Sequence, residues 1–272
     1  VSVFAQAAGS GVVGAGTNGT AASDFGCAAP ATVSGLQGIA VGCGATASTA
    51  NSIAVGASSA VVNVNDVSVG ALAGNGSTPL TANAEPNVFV GASAGASSSQ
   101  GGGVAIGLRA GQGIVGYGNL MFGYQAGLGT QGTDNVGIGR DVATGIQGGT
   151  NTAIGAFTMQ NIVGDHNTAI GSRAGQNWTG TALGTYSANT AIGFRAGQNM
   201  RAGVNTAIGA NAGRAIQGTA HGITYADGTS TYEDGTPISG TFNTAVGADA
   251  GAQVNGTDNT AVGTSAGINV VG

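Results

Sequence analysis

The chain has 272 residues, a formal net charge of −5 and no lysine, so a nucleic-acid partner, which requires clustered positive charge, is not expected. Glycine accounts for 55 residues, but charged residues make up only 6% and hydrophobic residues 42%, a composition that argues against disorder. Glycine does not recur at every third position, which excludes collagen. The sequence contains no run of about 18 apolar residues, so a membrane-spanning helix is not predicted.

Residues 1–21 are interpreted as an N-terminal cap or irregular segment. In residues 22–272 a short apolar segment that ends in glycine recurs, with a period that is mostly sixteen. These repeat glycines are Gly42, Gly56, Gly70, Gly91, Gly107, Gly123, Gly139, Gly155, Gly171, Gly193, Gly209, Gly247 and Gly263. The residue before each of them is apolar, and side-chain character alternates with period two. This alternation predicts strands of four to five residues rather than helices.

A fixed period of this length is typical of a solenoid, in which each repeat forms one coil. Sixteen residues allow two short strands and two turns in a coil. An Ala-Gly pair such as Ala174-Gly175 supplies one corner, because glycine tolerates positive φ there. We therefore predict an all-β parallel β-roll of about 14 coils, mostly of about sixteen residues, with paired strands about 4.8 Å apart.

The two cysteines occupy the same place in successive repeats. Cys27 follows Gly26, and Cys43 follows Gly42, one full repeat later. Their Cα atoms are therefore expected about 5 Å apart, which lies within disulfide range. A Cys27–Cys43 bridge, typical of an oxidising compartment, is predicted; two reduced, buried thiols are the alternative.

Asparagine opens the predicted strand in many copies, at Asn87 and then at Asn119, Asn135, Asn151, Asn167, Asn189, Asn205, Asn243 and Asn259. In register, these amides are expected to stack as a ladder that hydrogen-bonds from coil to coil. A ligand-binding row of amides is the alternative. Threonine follows asparagine in a parallel row, and a flat threonine face is also a candidate ice-binding surface.

Insertions interrupt the repeat near residues 75–86, 176–188 and 214–242. The last of them contains a predicted hairpin with an Asp227-Gly228 turn. Loops on a rigid scaffold often bind ligands, and large aromatic residues anchor interfaces. The candidate ligand-binding residues are accordingly Trp178, Tyr186, Tyr225 and Tyr232. The alternative is that these side chains cap the roll or pack on a neighbouring subunit.

The repeat resembles that of a known family. Asn51 to Gly56 reads Asn-Ser-Ile-Ala-Val-Gly, and the copies that start at Asn167, Asn189 and Asn205 read Asn-Thr-Ala-Ile-Gly-x-x-Ala-Gly. These motifs, over about residues 22–267, resemble the head repeats of trimeric autotransporter adhesins, the YadA-like family of Gram-negative bacteria. The resemblance implies a left-handed parallel β-roll, three chains side by side, and display on the bacterial surface by a stalk and an outer-membrane anchor. Neither of those parts is seen in this chain.

A homotrimer is also expected from the strand pattern, because both faces of each strand are apolar and only one can fill the roll. The predicted function is multivalent attachment to host cells or extracellular-matrix molecules, a role in virulence. The alternatives are a structural spacer in a surface fibre and an ice-binding solenoid.

Catalytic chemistry is not predicted. Three Gly-x-Gly-x-x-Gly matches lack the strand-to-helix setting of a dinucleotide site, and a chain without lysine has no phosphate-binding loop of the Walker type. His166 and His221 stand alone, so no metal or cofactor is expected. Asp134, Asp165 and Asp258 are expected to shape turns. A polysaccharide lyase of the β-helix type is a formal alternative, although such enzymes usually need larger coils and clustered charged residues.

Overall fold

The computed structural model describes residues 12–15, 21–24, 31–78, 85–178, 188–200, 203–214, 243–252, 254, 258–268 and 270. Two compact units divide the chain, residues 1–144 and residues 145–272. In each unit short parallel strands are stacked as a β-solenoid; the described residues contain about 11 turns with a spacing of ~16 residues. The predicted all-β solenoid is confirmed, whereas 14 coils, the handedness and the trimer stay predictions.

The described part of the first unit contains fourteen short strands. They are β1 (Val12–Ala15), β2 (Ala21–Asp24), β3 (Thr32–Val33), β4 (Ile39–Val41), β5 (Thr46–Ala47), β6 (Ile53–Val55), β7 (Ala60–Val61), β8 (Val67–Val69), β9 (Val88–Val90), β10 (Ser99–Gly101), β11 (Val104–Ile106), β12 (Val115–Tyr117), β13 (Leu120–Phe122) and β14 (Val136–Ile138). The main sheet has the order β1-β2-β4-β6-β8-β9-β11-β13-β14. The β1–β2 pair at its N-terminal end is antiparallel.

A second strand in some coils forms smaller sheets. Strands β3, β5 and β7 stack in the first coils, and β10 pairs with β12 further along. The prediction of two short strands in each coil therefore holds for these coils. Coil length varies: Ile39 lies opposite Ile53, whereas Val88 lies opposite Val104, so the second of these repeats is longer by two positions.

The described part of the second unit contains six strands in one parallel stack. They are β15 (Thr152–Ile154), β16 (Thr168–Ile170), β17 (Thr190–Ile192), β18 (Thr206–Ile208), β19 (Thr244–Val246) and β20 (Thr260–Val262). Thr168 pairs with Thr190 and Thr206 pairs with Thr244, so two of the insertions leave the strand register intact.

Side chains alternate between the interior and the surface along each strand. In β15, Ala153 is fully buried, Thr152 is half-buried and Ile154 is 37% exposed. The buried central positions are Ala40, Ala54, Ser68, Phe89, Ala105, Met121, Ala153, Ala169, Ala191, Ala207, Ala245 and Ala261. Most of these central positions are alanine, so small side chains fill the interior behind the main strands.

The repeat glycines allow neighbouring coils to touch. A Cβ atom at Gly107 would lie 2.3 Å from the carbonyl oxygen of Gly123, and one at Gly193 would lie 2.5 Å from that of Gly209. Gly107 also has a φ of 134°, which side-chain-bearing residues rarely adopt. The corner glycine Gly175 has a φ of 59°, so the predicted positive φ at the Ala-Gly corner is confirmed.

Candidate functional site

Six asparagines form a continuous ladder in the second unit. From each coil to the one before it, the side-chain Nδ2 donates to the preceding Oδ1 at 2.9–3.4 Å, and the backbone N–H donates to the same oxygen at 2.9–3.1 Å. The ladder consists of Asn151, Asn167, Asn189, Asn205, Asn243 and Asn259. The first five are at most 3% exposed. Their amides hold coil to coil and are not presented to a ligand.

In the first unit, the position of these asparagines is occupied by different residue types in different coils. Asn135 donates its Nδ2 to Asn119 Oδ1 at 3.0 Å, but earlier coils carry Ser52, Asp66 and Gly103 at this position. The backbone N–H of Gly103 donates to Asn87 Oδ1 at 2.9 Å. A backbone donor therefore replaces the side-chain amide where the asparagine is absent.

Asp66 is a fully buried carboxyl in this row. Its Oδ1 accepts the backbone N–H of Asn87 at 2.6 Å, and its Oδ2 accepts those of Asn63 at 2.7 Å and Val62 at 3.0 Å. Burial raises the pKa of the Asp66 carboxyl above its ordinary value, and the three backbone donors only partly offset that rise.

The outer face of the strand stack carries exposed aliphatic residues, one in each of several coils. In the first unit Ile106 is 37% and Ile138 is 41% exposed. In the second unit the corresponding residues are Ile154, Ile170, Ile208 and Val262, the first three 37% exposed and the last 69%. We call this set the outward apolar row. Threonine lies two residues earlier in each of these second-unit strands, on the same face.

Exposed large side chains also follow several repeat glycines, and the sequence interpretation missed them. Leu108 and Tyr124 are 46% and 45% exposed in the first unit, and Phe194 is 48% exposed in the second. The signal is present in the repeat, because all three come directly after a repeat glycine. A residue directly after a repeat glycine is easily interpreted only as part of a turn, and its exposed side chain is then overlooked.

Trp178 does not form part of a binding surface. Its side chain is fully buried, and its indole Nε1 donates a hydrogen bond to the carbonyl oxygen of Gly197. Trp178 lies seven residues after a repeat glycine, where other coils place the buried residues Ile162 and Met200. The prediction that this tryptophan anchors a ligand is wrong for this chain, because the ring fills the interior of a coil. Tyr186, Tyr225 and Tyr232 lie outside the described residues.

Cys43 is disulfide-bonded. Cys27, its predicted partner, lies outside the described residues, so the Cys27–Cys43 pairing stays a prediction. His166 is exposed, and His221 lies outside the described residues. Asp165 links two neighbouring coils, because its Oδ1 accepts the backbone N–H of Gly149, in the preceding coil, at 2.6 Å; its predicted role in shaping a turn stays a prediction.

Two arginines occupy one position in consecutive coils of the second unit. Arg173 and Arg195 each lie two residues after a repeat glycine and have φ values of 61° and 53°. The Cζ atom of Arg173 lies 6.0 Å from the ring centroid of Phe157, and that of Arg195 lies 4.9 Å from the ring centroid of Phe194. Such distances are typical of cation–π contacts.

The described residues contain no group of three or more His, Cys, Asp or Glu side chains that would hold a metal ion. Across the same part of the chain, no helix is long and apolar enough to cross a membrane. No protein-family model matches the sequence, and no curated protein is significantly similar to it. The functional argument therefore depends on the repeat and on the surfaces of the solenoid.

Proposed function

We propose that this chain is the head of a trimeric bacterial surface adhesin that attaches to host cells or extracellular-matrix molecules. The parallel β-solenoid and the Asn-Thr-Ala-Ile-Gly-x-x-Ala-Gly repeat support the likeness to YadA-like heads. The proposed setting is the bacterial cell surface, with attachment to the outer membrane by a part outside this sequence.

The observation that carries the proposal is the outward apolar row. Ile154, Ile170 and Ile208 are each 37% exposed, and coil stacking places them along one side of the second unit. A continuous exposed aliphatic stripe is typical of an interaction surface rather than of a solitary soluble chain. Three chains side by side, each a left-handed roll, would cover this row.

Trimerisation also supports the adhesive role. Three copies of a weak binding surface on one particle raise the avidity for a repetitive host surface without any new contact. The insertions near residues 75–86, 176–188 and 214–242 remain proposed sites of specificity, with Tyr186, Tyr225 and Tyr232 as their candidate anchors.

The direct test is binding of the purified chain to a panel of extracellular-matrix proteins and to cultured host cells. We expect saturable binding to at least one of them. A variant that lacks residues 215–240 is compared at equal particle mass, and reduced binding would assign recognition to that insertion. If the intact trimer binds neither matrix proteins nor cells, the spacer function replaces the adhesin.

An ice-binding surface is the second candidate, favoured by one specific feature. Threonines repeat in register on the outer face of the second unit, at Thr152, Thr168, Thr190, Thr206, Thr244 and Thr260. Thermal hysteresis of the purified chain tests this candidate. The adhesin proposal expects no hysteresis, because the outward face is covered in the trimer.

A further inference from the structure

Positive charge is concentrated on one edge of the second unit. The backbone N–H of Arg173 donates to the carbonyl of Ala156, and that of Arg195 donates to the carbonyl of Ser172, both at 3.0 Å. The two arginines therefore stack in adjacent coils, whose backbones are about 4.8 Å apart. Each of these two coils thus contributes one cationic side chain to the same edge.

No carboxylate compensates this pair within the described residues. The ion pair between Arg140 and Asp141 lies in the first unit and involves neither arginine. In the row that contains the two arginines, the next coils carry Asn211 and Asp249, and Asp249 Oδ1 accepts the amide of Asn211 at 3.0 Å. The acidic group of this row in the second unit, Asp249, is therefore engaged by an asparagine and lies two coils away from Arg195.

The polar groups of this edge are not satisfied by the described residues. Arg195 Nε and Asn211 Oδ1 are both buried and lack a hydrogen-bond partner there. An unpaired buried donor or acceptor is unfavourable, because it has lost its hydrogen bonds to water. The buried Nε of Arg195 is therefore not engaged by a carboxylate or carbonyl of the described residues, and the charge of its guanidinium is not neutralised there.

An exposed aromatic ring lies beside the charged pair. Phe194 is 48% exposed and contacts the guanidinium of Arg195 from the same coil. An acidic sugar has the complementary chemistry, because its anionic group pairs with guanidinium and the C–H face of its ring packs on an aromatic side chain.

We propose that Arg173, Arg195 and Phe194 bind an acidic sugar, through a carboxylate or sulfate group on the arginine pair and the sugar ring on Phe194. The site specifies a class of ligand for the proposed adhesin. It depends on the proposed function only in that the adhesin would display the site at a surface. Arginine suits the role because its planar fork can donate two parallel hydrogen bonds to either anion.

The test measures binding of the purified 272-residue chain to immobilised polysaccharides at about 150 mM salt, where purely diffuse electrostatic attraction is screened. Hyaluronan presents carboxylates, heparin presents sulfates as well, dextran is neutral, and polyglutamate presents carboxylates without sugar. We expect binding to hyaluronan or heparin, whichever anion the site prefers, and none to dextran.

The diagnostic variant is the double substitution Arg173→Gln with Arg195→Gln, which keeps long polar side chains and removes both charges. Arg109→Gln is the matched control, because Arg109 has the same coil position and a φ of 57° but lies between Ser93 and Gln125 in its row. We expect at least a tenfold loss of affinity for the double variant, a smaller loss for Phe194→Ala, and no change for Arg109→Gln.

Three results would overturn the proposal: no binding of the unmodified chain to either acidic polysaccharide, an equal loss with Arg109→Gln, or polyglutamate binding that Phe194→Ala leaves intact. The last result would assign the pair to acidic peptides. Cell attachment is measured separately, so failure of the adhesin function does not alter the polysaccharide result. A circular dichroism spectrum like that of the unmodified chain shows that the double variant is folded.

Discussion

The two units build the same coil but differ in the row that precedes each main strand. In the second unit this row is an unbroken ladder of asparagines, whereas in the first it includes Ser52, Asp66 and Gly103. The repeat glycines, by contrast, touch the next coil in both units. Glycine contact is therefore a requirement of stacking, and the asparagine is an addition to it.

The difference becomes clear at the insertions. Asn205 and Asn243 lie on either side of an insertion in the sequence, and their amides still hydrogen-bond at 3.1 Å; Asn167 and Asn189 do the same. In the first unit, Asp66 accepts the N–H of Asn87 across the insertion near residues 75–86. Ser52, which lacks such a contact to the next coil, precedes a plain coil without an insertion. We infer that side chains of this row fix the strand register across the insertions.

The largest effect is expected from the feature that the units share. Gly107→Ala in the first unit and Gly193→Ala in the second each place a methyl group against a backbone carbonyl and force an unfavourable φ. We expect each to cost about 5 kcal/mol of unfolding free energy, measured by denaturant titration. Gly129→Ala is the control, since nothing lies within 4 Å of the added carbon, and should cost about 1 kcal/mol. Equal costs for all three variants would show that coil contact does not select glycine.

A second comparison concerns the coil interior. Trp178→Ala leaves a cavity in the second unit, and we expect a loss of about 4 kcal/mol, measured by the same titration. Ile114→Ala, at the equivalent buried position of the first unit, should cost about 3 kcal/mol because the cavity is smaller. A loss below about 1 kcal/mol for Trp178→Ala would mean that its ring is not packed in the coil.

The asparagine row offers the sharpest contrast between the units. Asn205→Ala removes the oxygen that accepts both the backbone and the side-chain N–H groups of Asn243, so about 3 kcal/mol should be lost. Ser52→Ala removes one hydrogen bond, to the carbonyl of Thr49, and should cost about 1 kcal/mol. Hydrogen exchange at Asn243 and Thr244 should also accelerate in Asn205→Ala. Unchanged exchange there would refute the role of the ladder in holding register.

The smallest effect is a pH dependence confined to the first unit. The pKa of Asp66 is raised in the folded state, so its contribution to stability is greatest below its ordinary value of 3.8 and declines as pH rises through the folded pKa. Each pKa unit of elevation corresponds to about 1.4 kcal/mol. Relative to the unmodified chain, Asp66→Asn should therefore gain stability between about pH 3 and pH 7, as followed by thermal melts. A relative loss over that range would mean that the backbone donors outweigh burial.

The period of the sequence was sufficient to predict the parallel solenoid and the corner glycines, because both recur with the repeat. The prediction for Trp178 was wrong, since this residue lies next to an insertion and was assigned to that loop. Its distance from Gly171 equals that of Met200 from Gly193, so the period contained the correct answer. The stacking of Arg173 on Arg195 also follows from the period, but their aromatic contacts depend on rotamers that spacing does not determine.

The most direct test of the central claim is the mass of the purified chain in solution, measured by light scattering after size-exclusion chromatography. If the outward apolar row is covered by neighbouring copies, the particle should have a mass of about 77 kDa, three times the chain mass of 25.6 kDa. Replacing Ile154, Ile170 and Ile208 by aspartate should then shift it toward a single chain. A stable, soluble particle of 25.6 kDa formed by the unmodified chain would contradict the trimeric adhesin head.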